Sequence, residues 1–136
     1  MDVGDFAFGS DGGAAIAIEG HRAQPPRGKS VRAFMNFYKI PLENILIICD
    51  DFNIPFGTTR NREKGSAGGN NGLKSVTREL GTDDYPRLRL GTGNPELRKK
   101  IGDINFVLSK FTPDEKDQLP IILKTICSRL DSELDL

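Results

Sequence analysis

The feature that most constrains the fold is a continuous apolar run over residues 45–49, Ile-Leu-Ile-Ile-Cys. Most of its side chains are β-branched, which is typical of a central strand that is buried on both faces. Asp50 and Asp51 follow the run directly. Because α/β folds usually bind ligands beyond the carboxyl ends of their strands, the two carboxylates are predicted to lie at a ligand-binding edge.

A short amphipathic helix is predicted before this strand. Val31, Phe34, Met35 and Tyr38 are spaced at i, i+3, i+4 and i+7, which places them on one face of a helix. Pro41 is expected to end that helix, because proline cannot continue the backbone hydrogen bonds.

Two strands and a helix are predicted after the apolar run. Residues 58–62 form a polar strand candidate, and residues 87–90 alternate with a period of two, as a half-exposed strand would. A helix is predicted between them at residues 73–80, with Asn71 as its cap.

The last helix has a clear start signal. Thr112 is predicted as the N-cap, Pro113 as the first helical residue and Glu115 as the partner that completes a capping box. Apolar residues continue at helical spacing as far as Leu130. Proline inside a helix removes a hydrogen bond and costs about 3 kcal/mol, so a kink or a break is predicted at Pro120.

The alternation of strands and helices predicts an α/β fold, a single domain with a central sheet and helices on both faces. The domain is predicted to span residues 28–136. Residues 1–27 are predicted to be a divergent or poorly ordered N-terminal segment with one possible strand at residues 14–18.

Composition indicates a globular protein of the cytoplasm. Hydrophobic residues make up 37% of the chain, and no apolar run reaches the roughly 18 residues that a membrane span needs. Two cysteines do not form a disulfide framework, so a reducing cytoplasm is expected. Basic and acidic residues number 19 each, so any surface that binds nucleic acid must be a local basic patch.

Each polar feature has an ordinary explanation when it is taken alone. Asp50 is then a strand-end carboxylate, Asn71 a helix cap, and Arg87 and Arg89 the solvent-facing side of a strand. The glycine-rich residues 65–69 are then a flexible connection, since they match no phosphate-binding or dinucleotide-binding pattern.

Taken together, the same residues indicate a specific chemistry. A carboxylate can orient an imidazole, and an asparagine amide can hold a water or donate to a developing oxyanion. Glycines allow a bulky substrate to approach the backbone, and arginines bind phosphates. The combination indicates hydrolysis of an ester that is attached to a nucleic acid.

Four segments carry a resemblance to a known family. They are DDFNIPFG, GSAGGNNGLKS, LGTDDYPRLRLGTGNP and FVLSKFTPDE. In this order and at similar spacing, they resemble bacterial peptidyl-tRNA hydrolase. The resemblance implies a mixed sheet with helices on both sides and hydrolysis of the ester between a peptide and the tRNA 3′ end. It also implies peptidyl-tRNA, through its acceptor end, as the partner, with no cofactor and no metal. A monomer is expected if the fold is complete.

The resemblance also implies roles for particular residues. Asp50 corresponds to the aspartate that orients a catalytic histidine, and Asn71 to an asparagine that binds substrate and positions water. The positions implied in substrate binding are Gly69, Asn70, Arg62, Lys64 and Arg89, of which Arg62 and Arg89 match positions that clamp the phosphate of the tRNA end.

The sequence departs from the family pattern in three places. Asn70 and Cys49 stand where the family typically has histidines, and the family's opening segment with the catalytic histidine is not found. His21 is the one histidine of the chain and is expected to be an exposed loop residue, with a relocated base as the alternative. Two further hypotheses are a non-catalytic RNA-binding or protein-binding module on the same scaffold and an incomplete gene product.

Overall fold

The computed structural model of the protein describes residues 6–8, 14–18 and 27–133. Five strands form one sheet in the order β1-β2-β3-β5-β4. The strands are β1 Phe6–Phe8, β2 Ala14–Ile18, β3 Ile45–Pro55, β4 Thr59–Arg62 and β5 Arg87–Gly93. The sheet is mixed, because β2, β3 and β5 are parallel and the outer strands β1 and β4 are antiparallel to their neighbours.

Five α-helices and one turn of 3-10 helix accompany the sheet in the described ranges. The helices are α1 Arg27–Tyr38, α2 Asn71–Leu80, α3 Pro95–Ile101, α4 Asp103–Leu108 and α5 Pro113–Glu133, and the 3-10 turn is Leu42–Asn44. None of these helices is long and apolar enough to cross a membrane.

The core lies between β3 and the pair of helices α1 and α2. Ile45, Ile47 and Cys49 alternate along β3 and are at most 2% exposed. They belong to one apolar cluster with the α1 and α2 residues Val31, Met35, Leu73 and Val76. The prediction of an inner strand over residues 45–49 is therefore confirmed.

Helix α5 lies on the opposite face of the sheet. Thr59 of β4 pairs with Leu90 of β5, which is in register with Asp50 and therefore faces away from Cys49. The Arg129 guanidinium of α5 donates a 2.8 Å hydrogen bond to the hydroxyl of Thr59. The predicted α/β fold with helices on both faces is confirmed.

Strand β3 is longer than predicted, so Asp50 and Asp51 lie inside it and not at its end. The strand continues to Pro55, with a shift of register after Asp51. Glycines on β5 permit this: a Cβ at Gly91 would lie 2.1 Å from the Pro55 carbonyl oxygen, and one at Gly93 would lie 2.6 Å from the Ile54 carbonyl oxygen. The close approach of the two backbones extends their pairing past the predicted strand end.

The apolar face predicted for α1 packs into the core except at Tyr38, in the last turn of the helix. Val31 and Met35 are buried and Phe34 packs against the core, whereas Tyr38 is 52% exposed. The chain leaves the helix directly after Tyr38, where Lys39 has a left-handed φ of 55°. The Tyr38 ring therefore lies against that of Phe34, with ring centroids 4.8 Å apart and the planes tilted by 52°, and does not enter the core.

Helix α5 confirms its predicted start and contradicts the predicted break. The Thr112 hydroxyl accepts from the Glu115 amide at 3.3 Å, and the Glu115 carboxylate accepts from the Thr112 amide at 3.4 Å, as in a capping box. The helix is continuous through Pro120. Lys116, whose carbonyl loses its helical partner to the proline, is exposed, so the cost of the missing bond is small.

Candidate functional site

A cleft lies beside the second half of β3, and the loop of residues 65–70 forms its wall together with the start of α2. The sheet contributes Cys49, Asp50, Asp51, Phe52, Asn53, Arg62, Arg87 and Arg89, and the wall contributes Ser66, Ala67, Gly68, Gly69, Asn70, Asn71 and Leu73. Every predicted site residue except Lys64 thus belongs to the lining of this cleft. Lys64 is exposed and does not line the cleft.

The two asparagines at the start of α2 have different structural tasks. Asn70 is the N-cap: its backbone is extended and its Oδ1 accepts from the Leu73 amide at 2.9 Å. Its Nδ2 donates to the main-chain carbonyl of Asp50 at 3.5 Å, which joins the wall to β3. The prediction of Asn71 as the cap is wrong by one residue, because Asn71 is already helical; its exposed side chain takes no part in capping.

The side chain of Asp50 leaves β3 on the face opposite to that of Cys49 and Asp51. This follows from its register with Leu90 and from the alternating burial along the strand. The contact between Asp50 and the cleft wall is made by its carbonyl oxygen, which accepts from Asn70. The role of the Asp50 carboxylate in orienting a histidine stays a prediction.

Arg89 is held by a neighbouring carboxylate. Its Nε donates to Asp51 Oδ2 at 2.9 Å, and its Nη2 donates to the same oxygen. The other oxygen of Asp51 accepts from the Asn53 amide at 2.8 Å. The pair is partly shielded, with 24% of the Arg89 side chain and 15% of the Asp51 side chain exposed. Sequence reasoning did not predict this ion pair.

Arg87 contradicts the prediction that it lies on the solvent-facing side of its strand, because it is 1% exposed. Its guanidinium donates to the main-chain carbonyls of Ser66 at 2.8 Å, of Asp83 at 3.0 Å and of Gly65. It also lies over the Tyr85 ring, 4.4 Å from the centroid. Arg87 therefore fastens the base of the cleft wall to β5.

Arg62 lies at the other side of the same loop and is exposed. Its Nε donates to the Lys64 carbonyl at 3.0 Å. Gly65 has a φ of 135°, and a Cβ there would lie 2.8 Å from the Arg62 guanidinium. The backbone conformation favours glycine at this position.

The Cys49 thiol is expected to be a poor nucleophile. Burial and the nearby carboxylates of Asp50 and Asp51 raise its pKa to about 11. Only the thiolate is a nucleophile, so a thiol with this pKa stays protonated and unreactive at neutral pH. No group of three or more potential metal-ligating side chains occurs among the residues that the structure describes.

Thiol labelling checks this assignment. In the native protein at pH 8, iodoacetamide should modify the exposed Cys127 and leave Cys49 unmodified, because Cys49 is both buried and protonated. Mass spectrometry after proteolysis measures the two sites separately. Both cysteines should react after denaturation in urea, and labelling of Cys49 in the native protein at a rate like that of Cys127 would contradict the assignment.

Comparison with known proteins identifies the family to which this chain belongs. A family model described as peptidyl-tRNA hydrolase matches residues 26–135. The chain belongs to the peptidyl-tRNA hydrolase family. The resemblance inferred from the four sequence segments is thereby confirmed.

Similar curated proteins are longer than this chain. A peptidyl-tRNA hydrolase of Chlorobaculum tepidum is 44% identical over 124 residues, which cover 91% of this chain and 64% of the relative. Another, of Clostridium botulinum, is 50% identical over 92 residues, which cover 68% of this chain and 46% of the relative. The chain thus spans about half to two thirds of the length of these peptidyl-tRNA hydrolases.

Solved structures agree with the fold. The crystal structure of peptidyl-tRNA hydrolase from Acinetobacter baumannii aligns with a TM-score of 0.57 at 26% identity, over 81% of this chain and 59% of that one. A peptidyl-tRNA hydrolase crystallised with N-propanol aligns with a TM-score of 0.56 at 33% identity, over 67% of this chain and 45% of that one. The peptidyl-tRNA hydrolase fold is therefore shown for the part of the chain that aligns.

Proposed function

We propose that the cleft binds the acceptor end of peptidyl-tRNA and serves hydrolysis of the ester between the peptide and the tRNA. The observation that carries this proposal is the juxtaposition of the Asn70–Asn71 start of α2 with Arg62 and Arg89 in one cleft. The family match over residues 26–135 supports the assignment of the substrate class.

The geometry suits the parts of this reaction that need binding and polarisation. The exposed Asn71 side chain is free of the capping role and can hold a water or donate to the ester carbonyl. The amino end of α2 carries partial positive charge, which favours the charge that develops on that carbonyl oxygen. Arg62 and Arg89 supply donors for phosphate oxygens at the adjacent rim.

The proposal also includes the domain organisation, the oligomeric state and the location of the protein. Residues 28–136 would act as one domain, with no cofactor, as a monomer in the cytoplasm.

A non-catalytic RNA-binding module is the second candidate function. It is favoured by the absence of histidine from the cleft lining in the described part of the chain, since His21 is the one histidine of the sequence.

Binding of an RNA minihelix that carries the tRNA acceptor stem tests the proposal. Arg62→Ala should raise the Kd several-fold and should reduce the slope of log Kd against log salt by about one, since one phosphate contact is lost. Arg89→Ala should act in the same direction. Fluorescence anisotropy over a series of salt concentrations measures both quantities.

Arg78→Ala is the matched control, because Arg78 is an exposed arginine in the last turn of α2, outside the cleft lining. It removes the same charge and should leave the salt slope unchanged. If Arg62→Ala and Arg78→Ala have equal effects, the RNA does not bind at this cleft, and the proposed function is wrong.

A further inference from the structure

The arginines of the cleft differ in the groups that hold them. Arg87 and Arg62 donate to main-chain carbonyls, which are neutral. Arg89 instead donates two hydrogen bonds to one carboxylate oxygen of Asp51. A phosphate that approaches Arg89 therefore meets a guanidinium whose charge is already compensated.

Asp51 is also fixed in place, so it does not swing away without cost. Its Oδ1 accepts from the Asn53 amide at 2.8 Å, which anchors the carboxylate to the backbone of β3 two residues further on. Both Asp51 and Arg89 line the cleft. A phosphate oxygen and the Asp51 carboxylate would thus both accept from the Arg89 guanidinium. Two anions that share one donor at hydrogen-bonding distance repel each other.

We propose that Asp51 competes with RNA phosphate for Arg89 and thereby lowers the affinity of the cleft for the tRNA acceptor end. This inference rests on the proposed function. Its consequence concerns product release: the phosphates of the tRNA are still present after the ester is cleaved, so a cleft that grips them strongly would hold the product. A built-in competing carboxylate limits that grip and speeds the departure of the tRNA.

Asp51→Asn separates the effect of the side-chain charge from the effect of the side-chain shape. The asparagine keeps the size of the side chain, and its Oδ1 can still accept from the Asn53 amide, so this hydrogen bond within β3 is kept. The negative charge beside Arg89 is lost. If Asp51 served only to support the fold, the substitution would weaken RNA binding or leave it unchanged.

Asp117→Asn is the matched control. Asp117 is an exposed residue of α5 and does not line the cleft. This substitution changes the net charge by the same amount. It separates an effect of the local pair from a general effect of charge on RNA attraction.

The test measures the Kd of the deacylated acceptor-stem minihelix over a series of salt concentrations. Asp51→Asn should lower the Kd about two- to five-fold at low salt, which is the size of effect expected of a partly exposed ion pair, and should steepen the salt slope by about one. Asp117→Asn should change neither, and adding Arg89→Ala to Asp51→Asn should remove the gain.

Each other outcome overturns the inference. Weaker or unchanged binding by Asp51→Asn, with a circular dichroism spectrum like that of the wild type, shows that Asp51 does not compete. If Asp51→Asn fails to fold, Asp51→Ser replaces it and carries the same expectation of tighter binding. A wild-type chain that binds no minihelix overturns both the inference and the proposed function, whereas normal binding that is reduced by Arg62→Ala but not tightened by Asp51→Asn overturns the inference alone.

Discussion

Hydrolysis of peptidyl-tRNA by this chain should be slower than by a longer family member by a factor on the order of 10² to 10⁴, the usual contribution of a general base. The attacking water must give up a proton, and the side chains of the described cleft accept one poorly. Asparagine amides are not bases, carboxylates are weak bases at neutral pH, and the Cys49 thiol, with a pKa of about 11, is protonated. His21, which lies outside the described residues, is the one imidazole in the sequence.

Single-turnover assays on peptidyl-tRNA check this prediction. The intact chain, His21→Ala and Asp50→Ala are compared with the longer Chlorobaculum tepidum relative as the reference enzyme. Turnover near that of the reference and abolished by His21→Ala would make His21 a relocated base. Full turnover that survives His21→Ala would show that the base is a residue not considered above.

Of the arginine substitutions, replacement of Arg87 should reduce the stability of the fold most. Arg87→Met keeps the length of the side chain but leaves the carbonyls of Gly65 and Ser66 without their donor, whereas the Asp83 carbonyl still accepts from the Gly65 amide. An unsatisfied buried group costs about 1–3 kcal/mol. Because the Gly65 and Ser66 carbonyls are partly buried, the free energy of unfolding should fall by about 1–3 kcal/mol in total. The loss should be local in origin, because these carbonyls belong to the base of the cleft wall.

Urea unfolding measures the global effect, and hydrogen exchange measures the local one. Amides of residues 63–70 should exchange faster in Arg87→Met, whereas exchange in α5 should follow the change in global stability. Arg78→Met is the control, because an exposed arginine is expected to contribute within about 0.5 kcal/mol. A stability of Arg87→Met within that range, with unchanged exchange of the loop, would refute the fastening role of Arg87.

Features of the fold that depend on neighbouring residues were predictable from the sequence. The buried strand over residues 45–49 and the capping box at Thr112 and Glu115 are determined within a few residues, and both are confirmed. The short helix α3 was missed although its signal is readable: Asn94 caps it by accepting from the Leu97 amide at 3.1 Å. Six- and seven-residue helices such as α4 and α3 offer too few apolar positions for a periodicity argument.

Features that depend on distant residues were not predictable. Arg87 alternates with Leu88 as an exposed residue would, yet its burial is decided by carbonyls about 20 residues earlier in the chain. Asn70 and Asn71 are the same residue type, so residue preference does not distinguish between them as the cap. Asn70 is the cap, and its side chain also donates to the distant Asp50 carbonyl. The partners of the candidate site residues depend on which strands are adjacent, which the local sequence does not specify.

The same strand order affects how a newly synthesised chain can assemble. Strand β5 lies between β3 and β4, although it is the last of the three to be made. β4 therefore leaves the ribosome without a strand to pair with, and it must wait for α2 and β5, about 25 residues later. Pairing that joins distant segments pays its loop-closure entropy before any contact forms, which slows folding. The cleft wall lies in this interval, so the binding surface forms only when β5 has joined the sheet.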